Sequence, residues 1–107
     1  MLSKAFSFLK GNPQPKGPVV RKRIAFYGRV QGVGFRYRAN HAASAVGATG
    51  WVRNEYDGSV TMEIQATEAE IDQVIQMIRR GRFVEIERME SKELPLREDE
   101  YGFREEY

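Results

Sequence analysis

The sequence has no cysteine and only one histidine among its 107 residues. Without cysteine there are no disulfides, no thiol nucleophile and no thiolate zinc site, and a single histidine argues against a metal site of several imidazoles. No apolar run approaches the roughly 18 residues that a membrane-spanning helix needs, and the apolar stretch at 5–9 is too short for a signal peptide. These absences predict a cytoplasmic protein that works without a metal, a cofactor or a membrane.

Acidic residues are missing from the first half of the chain. Residues 1–53 contain ten Lys and Arg and no Asp or Glu, whereas residues 54–107 contain seven basic and fifteen acidic residues, so the halves carry charges of +10 and −8. One interpretation is that the two halves interleave in one fold and their charges mix. The other is a positive field around the Gly28–Arg36 segment, which would attract anionic substrates.

The first 18 residues differ in pattern from the rest. Apolar residues between Leu2 and Leu9 lie at helical spacing, but so short a helix is marginal by itself. The GNPQPKGP stretch that follows interrupts regular structure. We therefore expect residues 1–18 to be a flexible N-terminal extension and residues 19–107 to form one domain, which is long enough to bury a core.

The domain alternates between the hydrophobic periods of strands and helices. Apolar residues that alternate predict strands, and apolar residues three and four apart predict helices. Thr67 and Glu70 form the capping-box pattern before the second helix. The predicted strands are 19–27, 49–53, 59–66, 83–91 and a short 101–104, and the predicted helices are 36–46 and 68–80. The order βαββαβ predicts an α+β, ferredoxin-like sandwich, with an antiparallel sheet, two helices on one face and a short fifth strand left open.

A glycine-containing turn joins the first predicted strand to the first predicted helix. It reads GRVQGVGFR, from Gly28 to Arg36. A strand that enters such a loop and then a helix N-terminus lets backbone N–H groups converge on an anion, and Arg36 adds a fork of donors. Because the helix dipole disfavours a cation at an N-terminus, Arg36 indicates that an anion normally sits beside it. The candidate phosphate-binding residues are Val30, Gln31, Gly32, Val33, Gly34, Phe35 and Arg36.

Asn54 stands at the end of the second predicted strand, just before a turn marked by Asp57-Gly58. An asparagine at such a place has an ordinary structural explanation, since its side chain commonly bonds the backbone of a turn. Its carboxamide is also suited to orient a water molecule beside a phosphate, because it donates and accepts hydrogen bonds without adding negative charge. The residues alone leave both interpretations open.

Two sequence blocks together resemble the signature of a known family. GRVQGVGFR at 28–36 and GWVRNEYDGSV at 50–60, with the spacing between them, look like the two signature blocks of the acylphosphatases. The resemblance runs from about Arg21 to about Lys92. It implies hydrolysis of the carboxyl–phosphate bond of small acyl phosphates, giving carboxylate and phosphate. It further implies that Arg36 holds the substrate phosphate and that Asn54 orients the attacking water.

No obvious general base accompanies these two blocks, and the reaction does not require one. An acyl phosphate has a good leaving group, and phosphoryl transfer through a loose transition state needs mainly positioning and charge stabilisation. We therefore expect metal-independent hydrolysis, with Arg36 and Asn54 as the catalytic residues. We also expect a monomer that binds inorganic phosphate or sulfate at the loop.

The sequence also allows two functions other than acyl phosphate hydrolysis. A small nucleic-acid-binding module would suit the fold class and the basic first half, although the sheet lacks the paired aromatics of RNA-recognition domains. A non-catalytic acylphosphatase-like domain, as found within larger carbamoyl-transfer proteins, is the other alternative.

In the fourth strand, Ile86, Met89 and Ser91 break the alternation, which predicts a β-bulge. The glutamates of Phe103–Tyr107 depart from the family pattern and leave the pairing of a fifth strand open.

Overall fold

The computed structural model describes residues 17–107, so the predicted N-terminal extension, apart from Gly17 and Pro18, lies outside the described residues. The predicted α+β, ferredoxin-like fold is confirmed, and each element lies within a few residues of its predicted bounds. The elements are β1 (Val19–Arg29), α1 (Phe35–Ala45), β2 (Thr49–Asn54), β3 (Val60–Thr67), α2 (Glu68–Arg79), β4 (Glu85–Leu94) and β5 (Phe103–Glu106).

The five strands form one sheet in the order β4-β1-β3-β2-β5. The first four are antiparallel to their neighbours, whereas β5 pairs with β2 in parallel, from Gly50 opposite Phe103 to Arg53 opposite Glu106. The fifth strand is therefore paired, and the sheet is mixed. The reason is topological: β4 and β5 lie at opposite edges, so the chain crosses the sheet after β4 and returns in the opposite direction, which is the direction of β2.

Alternation along the strands gives the sheet one apolar and one polar face. On β3, Val60, Met62 and Ile64 are fully buried in the hydrophobic core together with the apolar residues of both helices. On β1, Ile24 and Phe26 face the same side. The intervening residues face the other side, which carries no helix, and the two helices therefore cover one face of the sheet as predicted.

The predicted β-bulge lies in β4. The register between β1 and β4 shifts between Tyr27 and Gly28, which face Arg88 and Ile86, so that Glu87 is the extra residue. A Cβ atom at Gly28 would lie 2.3 Å from the carbonyl oxygen of Glu85, and its φ is +127°. Glycine is therefore required where β1 passes the bulge and leads into the loop.

A buried ion-pair cluster fastens the β4–β5 connection to the open face. Arg21 is 1% exposed, its Nη1 donates to Glu100 Oε1 at 2.7 Å, and its Nε donates to Glu63 Oε1 at 3.1 Å. Burial alone would raise the pKa of the Glu100 carboxyl, but the hydrogen bond and charge of Arg21 hold that pKa below its usual value. The Arg21–Glu100 pair therefore contributes fully to the free energy of unfolding at pH values above the usual pKa of a glutamate. This contribution is lost as the pH falls through the lowered pKa of Glu100.

Candidate active site

The turn between β1 and α1 is held open by two glycines in the left-handed region. Gly32 has φ +73° and Gly34 has φ +81°, and a Cβ at either position would meet no heavy atom within 4 Å. The constraint on both positions is thus the backbone angle, not space. Val30 at the start of the turn and Phe35 at its end are buried, which anchors both ends of the loop in the core.

The N-terminus of α1 has backbone donors without a side-chain cap. Gly34 is the N-cap residue, and no side chain among residues 17–107 makes the capping hydrogen bond. The first helical bond runs from Arg38 N–H to the Gly34 carbonyl at 3.0 Å, so the N–H groups of Phe35, Arg36 and Tyr37 precede the helical ladder. The first turn also contains no acidic residue. These donors and the helix dipole together present positive potential at the loop.

Arg36, in this first turn, is hydrogen-bonded to β5, the last strand. Its Nη1 donates to the Glu106 carbonyl oxygen at 3.0 Å, and its Cζ lies 4.4 Å from the ring centroid of Tyr107. A guanidinium has five N–H donors, so one bond to a carbonyl leaves capacity for a phosphate. Among residues 17–107, no carboxylate forms an ion pair with Arg36, so its charge is not neutralised by a side chain.

Asn54 is the last residue of β2 and lies opposite Val60 in the β2–β3 pair. No hydrogen bond to its carboxamide is found within the part of the chain that the structure describes. The turn that follows Asn54 is joined to the glycine loop by Gln31, whose Nε2 donates to the carbonyl oxygens of Glu55 at 2.7 Å and Ser59 at 2.9 Å.

Two links therefore bring the loop, Arg36 and Asn54 to the same end of the sheet. At one end of the loop, Gln31 bonds the residue after Asn54. At the other end, Arg36 bonds Glu106, which is the strand partner of Arg53, the residue before Asn54. The glycine loop, Arg36 and the end of β2 that carries Asn54 thus lie at the same end of the sheet. Such an arrangement suits a tetrahedral oxyanion with a water molecule beside it.

Comparison with known proteins identifies the family of this chain. A family model for acylphosphatase matches residues 22–105. The acylphosphatase of Geobacillus kaustophilus is 41% identical over 85 residues, which cover 78% of this chain and 90% of that protein. The acylphosphatase of Oceanobacillus iheyensis is 45% identical over 74 residues, covering 67% and 81%. The crystal structure of acylphosphatase from Bacillus subtilis superposes with a TM-score of 0.74 at 30% identity, over 82% of this chain and 99% of that one.

This chain belongs to the acylphosphatase family. The predicted family is thereby confirmed, and so is the predicted enzyme class, a hydrolase of acyl phosphates. None of the comparisons favours a nucleic-acid-binding module. The substrate class that the family implies, a small acyl phosphate, is an anion.

The acidic residues nearest to Asn54 have structural partners in this acylphosphatase. The Thr61 hydroxyl and then the Arg53 guanidinium hold the pKa of the Glu55 carboxyl below its usual value, against the opposing effect of burial. Glu55 is therefore ionised at neutral pH and poorly suited to act as a general acid. Asp57 Oδ1 accepts hydrogen bonds from the Ser59 N–H at 2.9 Å and the Ser59 hydroxyl at 2.6 Å, which lower its pKa and close the turn as predicted.

Metal-ligand clusters and membrane-spanning helices are both absent from residues 17–107. No group of three or more His, Cys, Asp or Glu side chains in this range is arranged to hold a metal ion. No helix in the same range is both long enough and apolar enough to cross a bilayer.

Two shallow grooves lie on the open face of the sheet beside Arg23, Ala25 and Thr61, and residues 30–36 of the loop line neither of them.

Sequence reasoning did not anticipate how the site is held together. It assigned Gln31 to the loop for its backbone alone, whereas its side chain reaches carbonyl groups 24 and 28 residues away. It also gave Arg36 no protein partner, whereas the Glu106 carbonyl is 70 residues away. A backbone carbonyl exists at every residue, so no sequence pattern marks the one that a distant side chain will meet.

Proposed function

We propose that this acylphosphatase binds the phosphoryl group of its substrate at the loop Val30–Arg36. The observation that carries the proposal is the N-terminus of α1, where uncapped N–H groups and Arg36 occupy the same first turn. Backbone donors bind the phosphoryl oxygens, and the Arg36 guanidinium binds them from the side while its Nη1 rests on the Glu106 carbonyl. The Glu106 carbonyl fixes the orientation of the Arg36 guanidinium without neutralising its charge.

Asn54 orients the water that attacks phosphorus. Its carboxamide lies at the end of β2 beside the turn to which the loop is bonded, and it makes no hydrogen bond within residues 17–107 that would compete with a water molecule. The water oxygen forms a bond to phosphorus while the bond from phosphorus to the carboxylate oxygen breaks. The products are the carboxylate and inorganic phosphate, and one proton of the water passes to phosphate or to solvent.

The enzyme needs neither a general base nor a metal for this step. A carboxylate is a good leaving group, and the charge of the loose transition state lies mainly on the equatorial phosphoryl oxygens. Fixed N–H donors and a guanidinium stabilise that charge without reorganising during the reaction. The acids nearest to Asn54 are occupied by Thr61, Arg53 and Ser59, which supports a mechanism without proton abstraction by a carboxylate.

Release of phosphate from acetyl phosphate or benzoyl phosphate in the presence of EDTA tests the proposal. We expect the rate to be the same with and without the chelator. Loss of activity in EDTA that magnesium restores would contradict the metal-independent mechanism.

Asn54→Ala tests the assignment of the water. We expect kcat to fall strongly while the inhibition constant of inorganic phosphate stays near the wild-type value, because only the transition state uses the oriented water. Asn54→Asp is the shape-matched control, and its carboxylate should weaken phosphate binding as well. A lower midpoint of thermal unfolding with unchanged activity per folded molecule would instead make Asn54 a turn-forming residue.

Several finer features of the enzyme stay predictions from the sequence. They are the binding of inorganic phosphate or sulfate at the loop, a monomeric state, a cytoplasmic location and an N-terminal extension that ends near residue 18. Amide chemical shifts during a phosphate titration test the first, and we expect the largest changes between Gln31 and Tyr37. Size-exclusion chromatography with light scattering tests the second.

A further inference from the structure

The Gln31 side chain forms a cross-link between two loops of the site. Both hydrogens of its Nε2 amino group are used, one on the Glu55 carbonyl at 2.7 Å and one on the Ser59 carbonyl at 2.9 Å. Both distances lie within the usual N–H···O range, so both bonds are well formed. Gln31 itself is half-buried and lies near the start of the loop that precedes α1.

The two acceptors enclose the turn that follows Asn54. The Glu55 N–H donates to the Ser59 carbonyl at 2.9 Å, and the Gly58 N–H donates to the Glu55 carbonyl at 3.2 Å. Each carbonyl therefore already has a backbone partner, and neither would be left unsatisfied if Gln31 were absent. The turn does not need the Gln31 carboxamide as a hydrogen-bond partner for its carbonyl groups. The contribution of Gln31 is therefore to set the position of the turn relative to the loop.

We propose that Gln31 is a positioning residue that sets the distance between the bound phosphoryl group and Asn54. The proposal rests on the proposed function, in which the loop holds phosphate and Asn54 orients water. The Gln31 side chain touches neither the reacting atoms nor the water, because its Nε2 is bonded to the Glu55 and Ser59 carbonyls. It acts through the backbone of Glu55, the residue directly after Asn54.

This role has a kinetic signature that differs from a loss of phosphate binding. Without the Gln31 cross-link, the loop and Arg36 still bind phosphate, but the turn is held to them less tightly and Asn54 is misplaced. A misplacement of about 1 Å can cost on the order of a hundredfold in rate. We therefore expect kcat to fall by about 10- to 100-fold while the inhibition constant of phosphate changes by less than about 3-fold.

Gln31→Met tests the proposal because methionine matches the length of glutamine and lacks the N–H donors. Gln65→Met is the matched control. Gln65 Nε2 donates to the Arg97 carbonyl at 2.8 Å, and its Oε1 accepts from the Arg97 N–H at 2.9 Å and from Arg21 Nη1 at 3.3 Å. This variant therefore removes at least as many side-chain bonds as Gln31→Met, including one to a backbone carbonyl, but on the open face of the sheet and away from the loop. We expect Gln65→Met to keep wild-type kcat. If Gln31→Met does not fold, Gln31→Asn, which keeps the carboxamide but is one methylene shorter, takes its place under the same criteria.

The decisive measurement is the double variant with Asn54→Ala. If Gln31 acts through Asn54, adding Gln31→Met to Asn54→Ala lowers kcat by less than about 2-fold, because the misplaced group is already gone. A double variant in which the two losses multiply, or a Gln31→Met enzyme with wild-type kcat, would overturn the proposal. Failure of the proposed function gives a different result: Asn54→Ala by itself would then keep wild-type kcat, which removes the role of Asn54 and the positioning role with it.

Discussion

The two helices of this acylphosphatase begin in opposite ways. At α2, the Thr67 hydroxyl accepts from the Glu70 N–H at 3.2 Å, the Glu70 carboxylate accepts from the Thr67 N–H at 3.0 Å, and Glu68 adds a second negative charge. At α1, the N-cap residue is Gly34, which has no side chain to offer, and the first turn contains Arg36 in place of an acid.

The difference is the one expected if the protein completes the α2 terminus with its own side chains and the α1 terminus takes a ligand, as proposed. A side-chain N-cap stabilises a helix by about 1 kcal/mol, and a charge of favourable sign in the first turn adds about 0.3–1 kcal/mol. The α2 terminus has both contributions, while α1 lacks the cap and has a cation where the dipole is positive. A bound phosphate would make the α1 terminus favourable as well, because it would accept hydrogen bonds from the backbone donors and pair with the charge of Arg36.

The largest expected effect comes from removing the cation at α1. Arg36→Ala should lower kcat by about 10²–10³-fold, the usual loss when one fixed donor to a transition-state anion is removed. The free energy of unfolding should stay within about 1 kcal/mol of wild type, because the lost bond to the Glu106 carbonyl is offset by relief of the unfavourable charge at the helix N-terminus. Steady-state kinetics and thermal unfolding measure the two quantities.

Arg79→Ala is the control for this variant. Arg79 lies in the last turn of α2, where a cation is favourable, so its loss should leave kcat unchanged and slightly destabilise the fold. If Arg36→Ala keeps more than about a tenth of the wild-type turnover, the two arginines do not differ in the way that the two helix ends predict.

Stabilisation by phosphate is the next largest effect, and it should act through α1 alone. At a phosphate concentration 100 times its dissociation constant, binding to the folded state adds about 2.7 kcal/mol of stability. We expect the midpoint of thermal unfolding to rise with phosphate in the wild type and in Thr67→Ala, and to rise little in Arg36→Ala. Chloride at the same ionic strength is the control, and an equal rise in chloride would mean that the effect is general screening.

The smallest effect should come from the cap of α2. Thr67→Ala should lower the free energy of unfolding by about 1 kcal/mol and leave kcat unchanged, because within residues 17–107 the hydroxyl bonds only the Glu70 N–H of its own helix. Thr67→Ser keeps the hydroxyl and should retain most of the stability. Denaturant unfolding with activity per folded molecule is the measurement, and a fall in kcat for Thr67→Ala would show that the two helix ends are coupled.

The features that sequence reasoning predicted correctly are local ones. The capping box of Thr67 and Glu70 and the turn marked by Asp57-Gly58, which the bonds from Ser59 to Asp57 close, each join residues two or three apart, so their chemistry is visible in a short stretch of sequence. The β-bulge shows itself by a break in the alternation within β4. The family and its enzyme class followed from two blocks of sequence, while the roles of Arg36 and Asn54 stay predictions.

The amino-acid sequence by itself determined the order of the elements, the apolar face of each and the glycine loop before α1, because hydrophobic period, capping and turn chemistry act over a few residues. Only the tertiary structure decided the parallel pairing of β5, the burial of Arg21 between Glu63 and Glu100, and the bonds from Gln31 and Arg36 to distant carbonyls. Those contacts join residues 24 to 79 positions apart. They form only when folding brings distant strands and loops together. The pairing of β5 and the bonds from Gln31 and Arg36 depend on where a backbone group lies, and the Arg21 ion pairs depend on which carboxylates the fold brings beside that guanidinium.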